Sequence, residues 1–201
     1  MKNFGIALLV VFALSVSHLK AQRSFLLGVK GGGNLNGLYW DTPTGVKVTG
    51  TKSFVSYHIG IFAKIGLKKK IFLIPELQYI EKGFRDDVAK YAFDYVSLPV
   101  LMSFNLVTKF SLEAGPEFSY LTALKTNYAS GKVVDISSGM RKFDFGLTVG
   151  VRYSVLPRTA ILLRYSLSGI PVVSLPPPQG YNNDIFGYNQ ALQLSLAFLS
   201  R

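Results

Sequence analysis

Lys30, Lys64, Glu76, Glu113, Glu117, Arg152 and Arg164 are the residues that could build a charged site. Each stands on the polar parity of an alternating apolar and polar stretch, so all of them project to one side of a sheet. Four bases and three acids gathered in a narrow interior would form either a salt-bridge network or a charged pore or proton path. The near balance of charge favours the network, because an unpaired ion in such a space is costly.

The case for catalysis is poor. His58 is the one histidine beyond residue 18, and it lies mid-stretch, so neither a histidine pair for a metal nor a hydrolase triad can be assembled around it. Asp86 and Asp87 are adjacent in a polar segment without further ligands at calcium-loop spacing, which reads as a solvated loop. We find no nucleotide-binding loop and no repeat, and expect no catalytic residue, no metal and no cofactor.

The clearest of the stretches that position these groups is 54–84, FVSYHIGIFAKIGLKKKIFLIPELQYIEKGF. Val55, Tyr57, Ile59, Ile61, Ala63, Ile65 and Leu67 alternate with Ser56, His58, Gly60, Lys64 and Gly66. After Lys68, Lys69 and Lys70 the pattern resumes, with Leu73, Leu77 and Tyr79 against Glu76, Gln78 and Lys82. This is a hairpin of two strands, each with one apolar face. A first strand at 24–35 precedes it, with Gly31, Gly32 and Gly33 inviting close approach of a neighbour. Later strands are expected at 93–107, from Phe110 to about residue 123, at 143–155, at 161–168 and at 192–198, which makes eight in all. Loops at 36–52, 85–92, 124–140 and 169–191 alternate with tight turns at 68–70, 108–109 and 156–158.

Composition bounds what such strands can be. Hydrophobic residues make up 49% of the 201 positions and charged ones only 16%, sparse for a water-facing surface. Apart from the first 20 residues there is no apolar run long enough for a membrane helix. The N-terminus reads as a signal peptide over 1–21: Lys2 is basic, 4–16 is apolar, and cleavage after Ala21 leaves Gln22 first. The second unit, 22–201, is then a single exported domain. Without cysteine there is neither a disulfide framework nor a lipid-modified N-terminal Cys. A net charge of +11 would fit nucleic acid, but the basic residues are dispersed and no nucleic-acid signature accompanies them, so no nucleic-acid partner is expected.

The fold class expected is all-β, an eight-stranded antiparallel up-and-down transmembrane β-barrel. A soluble barrel of lipocalin type alternates too, with its apolar face inward. Charge placement separates the two. The apolar parity carries no Lys, Arg, Asp or Glu along the strand interiors, and the polar parity is mostly Gly, Ser, Thr, Asn and Gln. Small polar residues suit a narrow lumen, whereas a soluble barrel's outer face would be rich in Lys and Glu. Aromatics on the apolar face gather toward strand ends: Tyr57, Phe118, Tyr120 and Phe143 at one side, Phe104, Phe110, Tyr153 and Phe198 at the other. Tyr165, nearer mid-strand, stands outside both groups. Short turns at one end and longer loops at the other put both termini at the periplasm and the long loops outside the bacterial outer membrane.

Six segments carry a resemblance: GVKGGGNLN at 28–36, IPELQYIEKG at 74–83, YVSLPVLMSFNL at 95–106, EAGPEFSYL at 113–121, DFGLTVGVRYSV at 144–155 and RYSLSGI at 164–170. In these the chain resembles the PorT-like family of bacterial outer-membrane β-barrel proteins. The resemblance implies strands that tolerate Pro75, Pro99 and Pro116 as barrel features such as bulges, and it links the chain to protein secretion or envelope maturation.

The expected function is therefore a structural or interaction role in the outer membrane; the alternative is a narrow transport channel for small solutes. Expected partners are outer-membrane lipid, lipopolysaccharide bound through Lys47, Lys52, Lys125, Lys132, Arg141 and Lys142, and periplasmic or outer-membrane proteins, with the barrel itself monomeric.

Overall fold

Alternation sustained over 14 to 19 residues at a time gives strands that can pair along their whole length, and most of the described backbone is strand. The computed structural model describes residues 25–43, 46–128, 132–135, 141–177, 179 and 183–200. The signal peptide expected over 1–21 lies outside them, as do parts of three expected loops.

The strands are β1 (Phe25–Asp41), β2 (Phe54–Lys68), β3 (Ile71–Arg85), β4 (Ala89–Val107), β5 (Phe110–Tyr128), β6 (Val133–Asp135), β7 (Phe143–Leu156), β8 (Thr159–Leu175) and β9 (Ile185–Leu199). Each long strand is antiparallel to its sequence neighbour, and β1 pairs with β9 from Gly28↔Leu199 to Asp41↔Phe186, so eight strands close into a ring. The short β6 pairs with Lys125, Thr126 and Asn127 of β5 outside that ring. Closure leaves the ring without a free edge, which a lipid environment requires.

Turns of two residues, 69–70, 108–109 and 157–158, lie at one end of the barrel. At the other end are the connections 42–53, 86–88, 129–142 and 176–184. The strands run further toward this second end than the sequence pattern shows. All four expected loops give up residues to strand: 36–41 joins β1, 85 and 89–92 join β3 and β4, 124–128 joins β5, and 169–175 and 185–191 join β8 and β9. About 9 to 11 residues suffice to cross a bilayer, so the surplus projects beyond it and carries loop-like composition on strand backbone.

The outer surface is apolar. Leu27, Val29, Ile59, Ile61, Leu147, Val149, Leu194 and Leu196 are exposed on the convex side, while Asn34, His58, Glu76, Ser97, Thr148, Arg164 and Gln193 are buried within the ring. Inverted burial of this kind identifies the apolar face as the lipid-facing one. Outward aromatics pair across strands, Tyr57 with Tyr79 at 5.9 Å and Tyr120 with Phe143 at 5.1 Å between centroids. Tyr165 sends its hydroxyl to Gln190 Oε1 at 2.6 Å, which gives its polar tip a partner on the outer face.

Pro75, Pro99 and Pro116 are not bulges. Pairing lapses beside them, for example between Phe62↔Glu76 and Ile65↔Leu73, but the register on either side is the same. The missing N–H interrupts the ladder without shifting it. Register shifts fall elsewhere: beside the two-residue turns at Gly66/Lys68, Asn105/Val107 and Ser154/Leu156, at Asp94/Tyr95 opposite Thr122, and around Pro171. The bulge at Thr122 reverses the parity of β5, so that Leu121 and Leu124 both turn inward.

Candidate functional site

The lumen is filled in three layers. Nearest the two-residue turns, Phe62, Ile74, Leu101, Leu162 and Ala197 form a buried apolar cluster backed by Leu199. At the long-loop end a second cluster holds Ile80, Phe93, Tyr95, Leu121 and Leu124, with Phe84, Tyr91 and Val172 against it. Between them lies the charged layer. The polar parity of the strands is thus less uniformly polar than the sequence pattern implies: Ile74 and Ile80 share it with Glu76 and Gln78, and Phe62 shares it with His58.

Arg164 is the hub of the charged layer. Its Nη1 and Nη2 donate to Glu76 Oε2 and Oε1, both at 2.8 Å, while Nε and Nη2 donate to Glu113 Oε2 at 2.9 and 2.5 Å. Glu113 Oε1 accepts from Arg152 Nε at 2.5 Å, and Lys30 Nζ stands 2.5 Å from Glu76 Oε2. Five charges from five strands are thereby joined in one chain. Gly150 makes room for it, since a Cβ there would stand 2.5 Å from Arg164 Cγ and 2.4 Å from the Leu163 carbonyl oxygen.

Glu117 belongs to a second group. It accepts from Lys82 Nζ and from Thr148 Oγ1, each at 2.7 Å, and Ser119 Oγ lies at 3.3 Å. Lys82 stands on the inward parity of the 54–84 hairpin but is not among the interior charges expected from the sequence. Lys64 stands apart from both groups. It is half-buried near the short-turn mouth with its ammonium 4.3 Å from the centre of the Phe72 ring, and it makes no ion pair among the described residues. The apolar and charged layers also touch: Arg152 lies over the Phe62 ring at 5.2 Å and Lys82 over Tyr95 at 5.8 Å.

His58 is held on both ring nitrogens. Asn34 donates through Nδ2 to Ser56, which leaves Asn34 Oδ1 as the acceptor for His58 Nδ1–H at 2.6 Å; Nε2 meets Ser195 Oγ at 2.7 Å. No carboxylate pairs with the imidazole among the described residues, so its role in the lumen is that of a space-filling polar link. Asp86 caps its own turn, accepting from the N–H groups of Val88 and Ala89 at 2.8 and 2.7 Å. Asp87 pairs with Lys52 across the loop surface, and the hydrogen bond from that ammonium holds its carboxyl below the usual range. Lys125, expected in a loop, is on β5 and bonds Asp94 Oδ2 at 2.9 Å. Among the described residues no three His, Cys, Asp or Glu groups stand ready to hold a metal ion.

The chain's relatives agree with this architecture. The sequence model of the family described as "Outer membrane protein beta-barrel domain" matches residues 18–170. No curated protein matches. Among solved structures, Neisserial surface protein A is similar over 88% of this chain and 98% of its own, with 12% identity and a TM-score of 0.52, which supports a common fold. The attachment invasion locus protein Ail of Yersinia pestis aligns over 86% of this chain and 98% of its own, with 15% identity and a TM-score of 0.47. The OprG outer membrane protein of Pseudomonas aeruginosa aligns over 88% and 97%, with 14% identity and a TM-score of 0.39. With a family match over most of its length and an inverted eight-stranded ring, the chain belongs to the outer membrane protein beta-barrel domain family and is a small outer-membrane β-barrel protein.

Proposed function

We propose that the protein is a closed, monomeric barrel with a structural or interaction role and no enzymatic one. The observation that carries this reading is the filled lumen: apolar clusters at both ends and, between them, ion pairs whose charged groups are almost wholly buried. A conducting pore would need water along its axis, and paired charges packed between two apolar layers oppose that. In this reading both termini and the two-residue turns face the periplasm, and the longer connections face outward. Lys47, Lys132, Arg141 and Lys142 are exposed at the long-loop end, where they could bind lipopolysaccharide phosphates, whereas Lys52 and Lys125 already hold carboxylates.

Partners in this reading are other envelope proteins, reached through the loops or the periplasmic rim. The PorT-like resemblance points to secretion or envelope maturation as their business. Liposome swelling tests the closed state: proteoliposomes should exclude sugars as protein-free ones do, and swelling would favour the solute channel. For secretion, deleting the gene should trap exported proteins in the periplasm. Unchanged export would reject that role and leave the closed barrel standing.

A further inference from the structure

At the long-loop end β7 starts only at Phe143, whereas β5 continues to Tyr128 and β8 to Leu175. A cavity of about 210 Å³ lies over the end of β7, between Leu121 of β5 and residues 170–174 of β8. Phe93, Tyr95, Leu121 and Val172 give it aromatic and aliphatic walls, Arg141 and the exposed Phe143 stand at its rim, and Asp144 lines its inner side.

Asp144 is the unusual member. It is only 8% exposed, and Ser168 Oγ donates to its Oδ2 at 2.5 Å, but its Oδ1 is buried without a donor. Every other lumen carboxylate has at least one cation among the described residues: Glu76 has Lys30 and Arg164, Glu113 has Arg152 and Arg164, and Glu117 has Lys82. Asp144 has none among them, although a buried carboxylate oxygen normally finds a donor. An apolar pocket with one such acceptor is the form that small-molecule sites take.

We propose that this cavity binds a small amphipathic amine, its apolar body against Phe93, Tyr95, Leu121 and Val172 and its ammonium donating to Asp144 Oδ1. The positive charge matches the unpaired carboxylate, and the aromatic faces suit a neighbouring cation. Arg141, exposed to water at the rim, is screened and does not set the sign of the inner site. The site does not rest on the lumen being closed, since it lies at the mouth.

The test uses the full barrel in detergent micelles, with 2-phenylethylamine as probe and phenylacetate as its anionic counterpart, read by NMR saturation transfer and titration. Saturable binding of the amine, weaker binding of the acid, and a loss of roughly tenfold or more in amine affinity for Asp144→Asn are expected. Val172→Trp, which fills the cavity from β8, should also weaken the amine; each variant is first checked for the gel-mobility difference between unheated and boiled samples that marks a folded barrel. Equal amine affinity in Asp144→Asn and wild type, tighter binding of phenylacetate, or no saturable binding would each overturn the proposal. If Asp144→Asn fails to fold, Val172→Trp decides, and unchanged amine binding there overturns it as well.

Discussion

Arg164 grips Glu76 with both ends of its guanidinium, Nη1 on Oε2 and Nη2 on Oε1 at 2.8 Å each, across 88 positions of sequence. Such a bidentate pair fixes two side chains in one plane, and the same Arg164 then holds Glu113. The barrel's interior is organised around this cation.

Removing it takes four hydrogen bonds from two buried carboxylates and leaves Glu76 to Lys30 and Glu113 to Arg152. Arg164→Met should destabilise the barrel by about 3–5 kcal/mol, as expected for breaking a buried pair from one side. Combining it with Glu76→Gln and Glu113→Gln should deepen that loss, because Lys30 and Arg152 would then be buried without their carboxylates. Urea titration of the folded fraction in lipid vesicles measures both.

Depth on the outer face sets the cost of charge. Ile59 and Val55 both face outward on β2, Ile59 nearer the middle of the strand and Val55 at its long-loop end. Ile59→Lys should cost about 2–4 kcal/mol and Val55→Lys about 0–1 kcal/mol in the same titration. Equal costs would mean that the apolar band lies elsewhere on the strand.

The β1–β9 seam depends on one glycine of three. A Cβ on Gly32 would stand 1.9 Å from the Leu194 carbonyl oxygen, whereas on Gly33 its nearest neighbour is the Ser56 oxygen at 3.8 Å. Gly32→Ala should therefore lose the folded band on unheated gels, and Gly33→Ala should keep it.

Much of this was legible in the sequence, because a ring in lipid must alternate and inner charge avoids the outer parity. Strand ends were not: Lys90 and Lys125 look like loop residues, and their place on projecting strand, where Lys90 bonds Glu81 at 2.7 Å, follows only from pairing. The parity reversal at Thr122 leaves no local signal, so the inward turn of Leu124 was hidden. Ile74 and Ile80 stand in the sequence as single isoleucines, which does not announce that four other strands bring partners to Ile74 and three to Ile80. The neutral appearance of Asp144, one acid in a glycine-rich strand, likewise conceals that its Oδ1 ends without a donor.

Single-channel recording in a planar bilayer tests the closed lumen most directly. Purified protein inserted in lipid should give a quiet baseline under applied voltage. A large, steady conductance that scales with the number of inserted barrels would contradict the account.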